Sequence, residues 1–224
     1  MYHNYHKHSH KGNIGVQDST TKAQDYINRA IELGHTTVFS TEHGFHGDIF
    51  ELKDLIDRKN KELDDDKKLK MIVGCEFYYV DDISEKERYN NHLVIIALND
   101  NGYRQINEAV TIAYREGFYY RPRIDKEILF KIFNPKDVIV TTACIAGILS
   151  REDSKEIIKE FHNHFKNHFF LEVQNHNEDK QKTINKLAIK YRDEFGIKLI
   201  HANDSHYIYP QDSYYRDMYL KGKG

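Results

Sequence analysis

The chain has 224 residues, 39% of them hydrophobic and 30% charged, with a formal net charge of −2. That is enough apolar material for a sizeable core, and too little positive charge for a domain that grips duplex nucleic acid by its overall field. The two cysteines, Cys75 and Cys144, lie far apart in apolar surroundings, which argues against a disulfide framework and for a reducing compartment. No run resembles a signal peptide and no stretch is apolar and long enough to span a bilayer, so a cytoplasmic protein without membrane contact is expected.

A first strand is predicted over residues 2–8. It carries His6 and His8 at alternate positions, so both imidazoles can face one point, which is a metal-ligand geometry. Residues 11–19, polar with two glycines, read as a loop. Thr20 or Thr21 is the expected cap of a helix whose apolar positions are Ala23, Tyr26, Ile27, Ala30, Ile31 and Leu33, with Gly34 ending it. A buried strand over 36–40 runs into Thr41-Glu42-His43-Gly44. A helix over 49–63 and a charged stretch over 64–68 lead to a long strand over 70–80 that contains Glu76. Residues 81–91 are a polar excursion. The next strand, 92–98, carries His92 at its start, so it is expected to run against the others or to pair with 70–80 as a hairpin. A helix over 103–114 follows, then the aromatic and basic segment 117–125 and a short helix over 126–133. The strand over 137–143 stops at Cys144. Helices over 154–165 and 179–195 alternate with strands over 169–174 and 198–202, the last of which ends at Asn203-Asp204-Ser205-His206. A final helix is predicted over 212–220.

This alternation predicts a single α/β domain with a largely parallel sheet, open or closed into a barrel. In such folds sites form at the C-terminal strand edges. Here the edges carry His6 and His8, His43, Cys144, and the alternate pair Asp204 and His206, with Glu76 inside the long strand. Each has an ordinary explanation alone: a hydrogen-bonded histidine, a helix-capping Asp204, a small buried Cys144. Together they would need a separate partner for every buried polar group. So many ligands exceed one tetrahedral zinc and suit two or three metals bridged by Glu76. Metals about 3.5–4 Å apart suit phosphoester hydrolysis, because they activate a water and hold the phosphate oxygens. Imidazole, carboxylate and one thiolate would accept zinc, manganese or iron. Between 115 and 131, Arg115, Arg121, Arg123, Lys126 and Lys131 stand beside Phe118, Tyr119 and Tyr120. Such a segment can guide a single strand by charge and stacking, or pack against another protein domain.

These residues resemble the PHP (polymerase and histidinol phosphatase) superfamily, most closely the PHP domain at the N-terminus of bacterial DNA polymerase III alpha subunits. The segments that carry the resemblance are His6-Lys7-His8-Ser9, Thr41-Glu42-His43-Gly44, Gly74-Cys75-Glu76-Phe77-Tyr78, His92-Leu93-Val94 and Gly117-Phe118-Tyr119-Tyr120-Arg121-Pro122-Arg123. They continue with Thr142-Ala143-Cys144-Ile145-Ala146-Gly147, Leu171-Glu172-Val173-Gln174 and Asn203-Asp204-Ser205-His206-Tyr207. The resemblance implies a distorted (β/α)7 TIM-like barrel, the PHP fold, with a trinuclear metal centre. Its ligands would be His6, His8, His43, Glu76, His92, Cys144, Asp204 and His206, joined by a loop residue for which Asp18 is the first candidate and His10 the rival. Glu76, Asp204 and His206 are expected to act in catalysis. Glu42 stands where an Asp is more usual, with little consequence expected if it sits behind the ligands.

The implied activity is a metal-dependent 3′–5′ exonuclease on single-stranded DNA 3′ ends, with Arg121 and Arg123 on the phosphates. The implied partners are the remaining polymerase domains or other replisome subunits. The sequence stops at Lys221-Gly222-Lys223-Gly224 without a palm, so no polymerase activity is expected of this chain alone. A free-standing phosphatase of a small phosphate monoester would use the same chemistry. A metal-braced folding and docking module is the non-enzymatic alternative. His46 and His176 lie near the expected site edge as weaker phosphate contacts.

Overall fold

A computed structural model describes residues 3–14 and 18–222. The elements are, in order, α1 (Ala23–Glu32), β1 (Thr37–Ser40), α2 (Ile49–Asn60), β2 (Lys70–Tyr79), β3 (Asn91–Ala97), α3 (Asp100–Arg115), β4 (Phe118–Tyr119), β5 (Arg121–Ile124) and α4 (Lys126–Ile132). They continue with β6 (Val138–Thr141), α5 (Ser154–Phe165), β7 (Phe169–Gln174), α6 (Asp179–Phe195), β8 (Lys198–Ala202) and α7 (Ser213–Lys221). Among the described residues no helix is long and apolar enough to cross a membrane.

The strands form one mixed sheet in the order β4-β5-β2-β3-β6-β7-β8, with β1 paired to the first half of β2. β1 with β2, β2 with β5, β6 with β7, and β7 with β8 are parallel. The largely parallel sheet expected from the sequence is interrupted by β3, which runs antiparallel to both β2 and β6. That reversal is what carries His92, at the N-terminal end of its strand, to the same edge as the C-terminal ends of the others.

The predicted strand over 2–8 is mostly not a ladder strand. Residue 2 lies outside the described residues, and of the rest only Lys7 forms a bridge, to Ser205. A side chain replaces the missing ladder: Thr41 Oγ1 accepts from the Lys7 amide at 3.0 Å and lies 3.0 Å and 2.9 Å from the Tyr5 and Lys7 carbonyls. On the other side His8 N donates to Ser205 O at 2.8 Å, and Ser205 N to His6 O at 3.2 Å. The segment thus stands between the C-terminal ends of β1 and β8 and brings distant parts of a curled sheet together. Strand pairing alone does not run round a complete sevenfold barrel among the described residues.

Helices cover the outer face because their apolar residues recur at helical spacing. α3, α4, α5 and α6 close over Phe77, Leu93, Ile95, Val140, Phe169 and Leu171, and α1 and α2 pack Ile27, Leu52 and Ile56 on Val38 and Leu69. Each fully buried side chain of this kind contributes about 1.5–3 kcal/mol. The inner face holds a smaller layer of Tyr5, Val94, Ile96, Ala143 and Ala202.

Two helix starts differ from expectation for identifiable reasons. α3 begins at Asp100 rather than 103, because the Asn99 side chain accepts from the amides of Asn101 and Gly102 and caps it earlier. α1 begins after Lys22 without a threonine cap, because Thr21 Oγ1 bonds the His206 carbonyl instead. Of the expected 11–19 loop, residues 15–17 lie outside the described residues, and His10–Ile14 is a short 3-10 turn.

Candidate metal centre

The buried carboxylate of Glu76 is the hub. It leaves β2 beside the His43 bridge on one side and Val94 of β3 on the other. Its Oε1 lies 3.1 Å from His6 Nε2 and 3.0 Å from His92 Nδ1, and its Oε2 lies 2.6 Å from His43 Nδ1 and 3.4 Å from His8 Nε2. Asp204 Oδ1 faces the same pair from β8's end, 3.4 Å from His6 Nε2 and 3.0 Å from His8 Nε2. Asp18 Oδ2 bridges His43 Nε2 at 3.2 Å and His206 Nε2 at 3.1 Å. Cys144 Sγ lies 3.4 Å from His92 Nδ1 and 3.8 Å from Glu76 Oε1. The side chains expected as ligands therefore meet in one place, and of the two loop candidates it is Asp18 that lies among them. His10 turns its Nδ1 to the Thr21 carbonyl at 3.3 Å.

The backbone bends to achieve this. Ala143, just before Cys144, and Asp204 both adopt positive φ, 55° and 49°. A left-handed conformation costs a residue with a Cβ about 1–2 kcal/mol, so the fold accepts strain where two of these groups enter.

Charge is crowded here. Burial opposes ionisation of Glu76, but His92, His6, His43 and His8 outweigh it and hold the carboxyl well below its usual range. Asp204 is held down in the same way, against burial, by His6 and His206. For His43 burial disfavours the charge, yet Glu76 and Asp18 lift its pKa to about 10. His8, stacked on His43 at 3.7 Å, is pushed down to about 3 by burial and by that neighbouring charge. Burial, followed by the carboxylates of Asp204 and Glu76, pushes the Cys144 thiol up. A bound cation would reverse that direction.

These residues fit divalent metal. The buried atoms His6 Nε2, His8 Nε2, His43 Nδ1, Glu76 Oε2 and Asp204 Oδ1 lack a well-formed hydrogen bond although they crowd together. Atoms bound to one ion at about 2.0–2.2 Å stand roughly 3–3.5 Å apart, close to the spacings above. Three overlapping groups could each hold an ion: His8, His43 and His206; His6, His8 and Glu76; His43, Glu76 and His92.

A residue that sequence reasoning left without a role orients this cluster. Glu172 of β7 is 1% exposed and accepts from His6 Nδ1 at 2.9 Å, from Thr141 Oγ1 at 3.0 Å, from Gln174 Nε2 at 2.6 Å and from the Tyr5 hydroxyl. It fixes the His6 ring so that Nε2 faces Glu76 and Asp204. The signal was available as an acidic residue in a buried strand running parallel to the one that ends at Cys144. Glu42 is also more than a bystander. Both its oxygens accept from the Ser9 amide, at 2.9 and 3.0 Å, and Oε2 occupies the space a Cβ at Gly12 would need. Burial and Asp48 push its pKa to about 7, against the pull of Lys7.

Arg123 is held inside the fold. It is 2% exposed, and its guanidinium donates to the carbonyls of Gly117 (3.0 Å), Glu85 (2.6 Å), Ile83 (2.8 Å) and Glu87 (3.3 Å). A group so occupied anchors the 83–87 loop. The Arg121 guanidinium lies 5.7 Å from the centroid of Tyr78. Tyr78 itself packs on His43 and His92, and burial pushes its hydroxyl pKa up. His46 bonds Asn107, and His176 Nε2 bonds the Asn203 carbonyl at 3.0 Å.

Comparison with known proteins gives a consistent picture. The family described as the PHP domain matches residues 5–176. The DNA polymerase III subunit alpha of Borreliella burgdorferi is 32% identical over 95% of this chain, and that of Aquifex aeolicus 29% identical over 93%. The chain spans 19% of the length of each of these relatives. A solved structure from Bifidobacterium adolescentis, named as a metal-dependent phosphoesterase, shares the fold with a TM-score of 0.55 at 11% identity, covering 92% of this chain and 88% of its own.

Proposed function

The chain belongs to the PHP domain family, and from that premise we propose that it is a metal-dependent phosphodiesterase of DNA 3′ ends, a 3′–5′ exonuclease module of a polymerase III alpha-like replicative enzyme. The observation that carries the reading is the convergence of His6, His8, Asp18, His43, His92, Cys144, Asp204 and His206 on Glu76. In this reading residues 1–224 are one domain, barrel-shaped with the 5–8 segment bridging its open side. On the same reading the domain works with polymerase parts in cytoplasmic replication.

Two or three divalent ions held by these residues would supply an activated water and neutralise the phosphate oxygens. The protein's own work is positioning. Glu76 holds the histidines of two groups in register, Glu172 sets His6, and Asp18 ties His43 to His206. Asp204 and His206 have more contact with solvent than the buried His6 and His8, which supports placing them on the substrate side. The net charge near zero leaves strand recognition to local contacts at the rim.

The test is release of a 3′ label from a single-stranded oligonucleotide by metal-loaded protein and by Glu76→Ala, beside hydrolysis of an aryl phosphate. Cleavage of the oligonucleotide that is lost in the variant supports the exonuclease. Preference for the aryl phosphate supports the monoester phosphatase, a reading favoured by the occupation of the Arg123 guanidinium by backbone carbonyls. Metal uptake that stabilises the chain with neither substrate turned over supports the structural brace. Arg121→Ala is expected to weaken single-strand binding several-fold with the fold intact. Arg123→Ala is expected to lower stability by about 1–3 kcal/mol, because the carbonyls of Gly117, Ile83, Glu85 and Glu87 lose their donor.

A further inference from the structure

Tyr78 follows Glu76 by two residues on β2, so its side chain leaves the same face of the strand. It is 3% exposed. Its ring lies 6.3 Å from the His43 ring at 17° and 5.4 Å from the His92 ring at 77°. The Arg121 guanidinium stands 5.7 Å from its centroid, and a Cβ on Gly44 would come within 2.9 Å of its Cε2. The ring is thus held on several sides by packing that a phenylalanine would satisfy equally.

The hydroxyl has a different status. Its oxygen is buried and has no hydrogen-bond partner among the described residues. A buried hydroxyl without a partner costs folding free energy and calls for an explanation. The charged groups that bear on it are Glu76, Arg121 and Asp18, which belong to the candidate centre and its rim. Fold stability does not account for the oxygen, whereas a ligand at the centre would.

We propose that Tyr78 is a substrate-contacting residue whose hydroxyl donates a hydrogen bond to a phosphoryl oxygen bound at the metal centre. The inference rests on the reading of the site as a phosphoesterase, and it adds a neutral donor beside the metals and Arg121. The class of ligand is any phosphate ester, since the contact reaches only the phosphoryl group. In this role the hydroxyl orients the phosphate.

The experiment is Tyr78→Phe on the full chain, read by metal content, by melting temperature with and without metal, and by calorimetric binding of inorganic phosphate to the metal-loaded protein. The expected result is unchanged metal content, a melting temperature equal to or above that of the parent, and phosphate affinity reduced about 10-fold, with KM for the cleaved substrate raised in step. A lower melting temperature with unchanged phosphate affinity would overturn the proposal and assign the hydroxyl to an internal structural bond. Equal phosphate binding and equal KM in an active enzyme would sink the proposal and leave the phosphoesterase reading standing. Weakened phosphate binding in a protein that cleaves no oligonucleotide would keep the proposal and remove the exonuclease. Failure of phosphate to bind the parent protein would overturn both.

Discussion

At one end of the sheet, buried Glu76, His6 and His8 and half-buried Asp204 come together with polar atoms that lack well-formed hydrogen bonds. At the other end of the same strands, Phe39, Ile72, Ile96, Ile139 and Ile200 line a cavity of about 930 Å³. Met71–Val73, which line that cavity, precede Glu76 by a few residues along β2. The apolar end stabilises the fold without needing anything bound. The polar end costs stability unless something neutralises it. The contrast separates the part of the fold that stands alone from the part built for a ligand, and it makes the two separately breakable.

The sharpest break is Glu76→Ala. Because Glu76 belongs to two of the three ligand groups, the variant is expected to lose at least one ion per chain and to drop hydrolysis by about 10³-fold or more. Elemental analysis and the labelled-oligonucleotide assay read both effects. Retained metal would show that the hub is misassigned.

Glu172→Gln comes next. The ring of His6 would keep a polar neighbour but lose the carboxylate that fixes it, so metal affinity is expected to fall about 10–100-fold. Competition with a chelator of known affinity measures this, and an unchanged affinity would reduce Glu172 to packing.

A milder probe is pH. With its pKa lifted to about 10, the His43 ring is protonated at neutral pH in the metal-free protein, and an incoming metal must displace that proton. Affinity is expected to climb with pH, about tenfold per unit for this one proton, and to level off near pH 10. His8, already neutral because its pKa lies near 3, adds no such dependence. The same raised value on His43 stabilises the metal-free fold fully below about pH 6.5, and that contribution is lost as pH rises through 10. Affinity independent of pH would contradict His43 as a displaced-proton ligand.

The smallest effect on the site should come from the opposite end. Ile96→Ala, beside the apolar cavity, is expected to cost about 2–4 kcal/mol of stability in denaturant titration while metal content stays at the parent level. Metal lost along with stability would erase the separation of the two ends.

Much of this was readable from residue pattern. Helices at Ser154–Phe165 and Asp179–Phe195 and strands at Phe169–Gln174 and Lys198–Ala202 fall where apolar periodicity places them. The reversal of β3 follows from His92 standing at a strand start. What pattern could not supply were partnerships between distant segments. Arg123 beside aromatics looks like a phosphate contact until the carbonyls of 83–87 wrap its guanidinium. Thr21 looks like a cap until the His206 carbonyl claims its hydroxyl. The 2–8 segment alternates like a strand, yet Thr41's side chain takes the place of a ladder. Glu172 reads as one charge in an apolar strand, and only the packed fold shows His6, Thr141 and Gln174 around it.

The most direct measurement is the metal content of the purified chain, by elemental analysis after loading with zinc, manganese or iron and removal of excess. The account predicts two or three ions per chain, falling in Glu76→Ala. A chain that retains no ion under any of these conditions would contradict the assignment of His6, His8, His43, His92 and His206 as ligands, and with it the functional reading built on them.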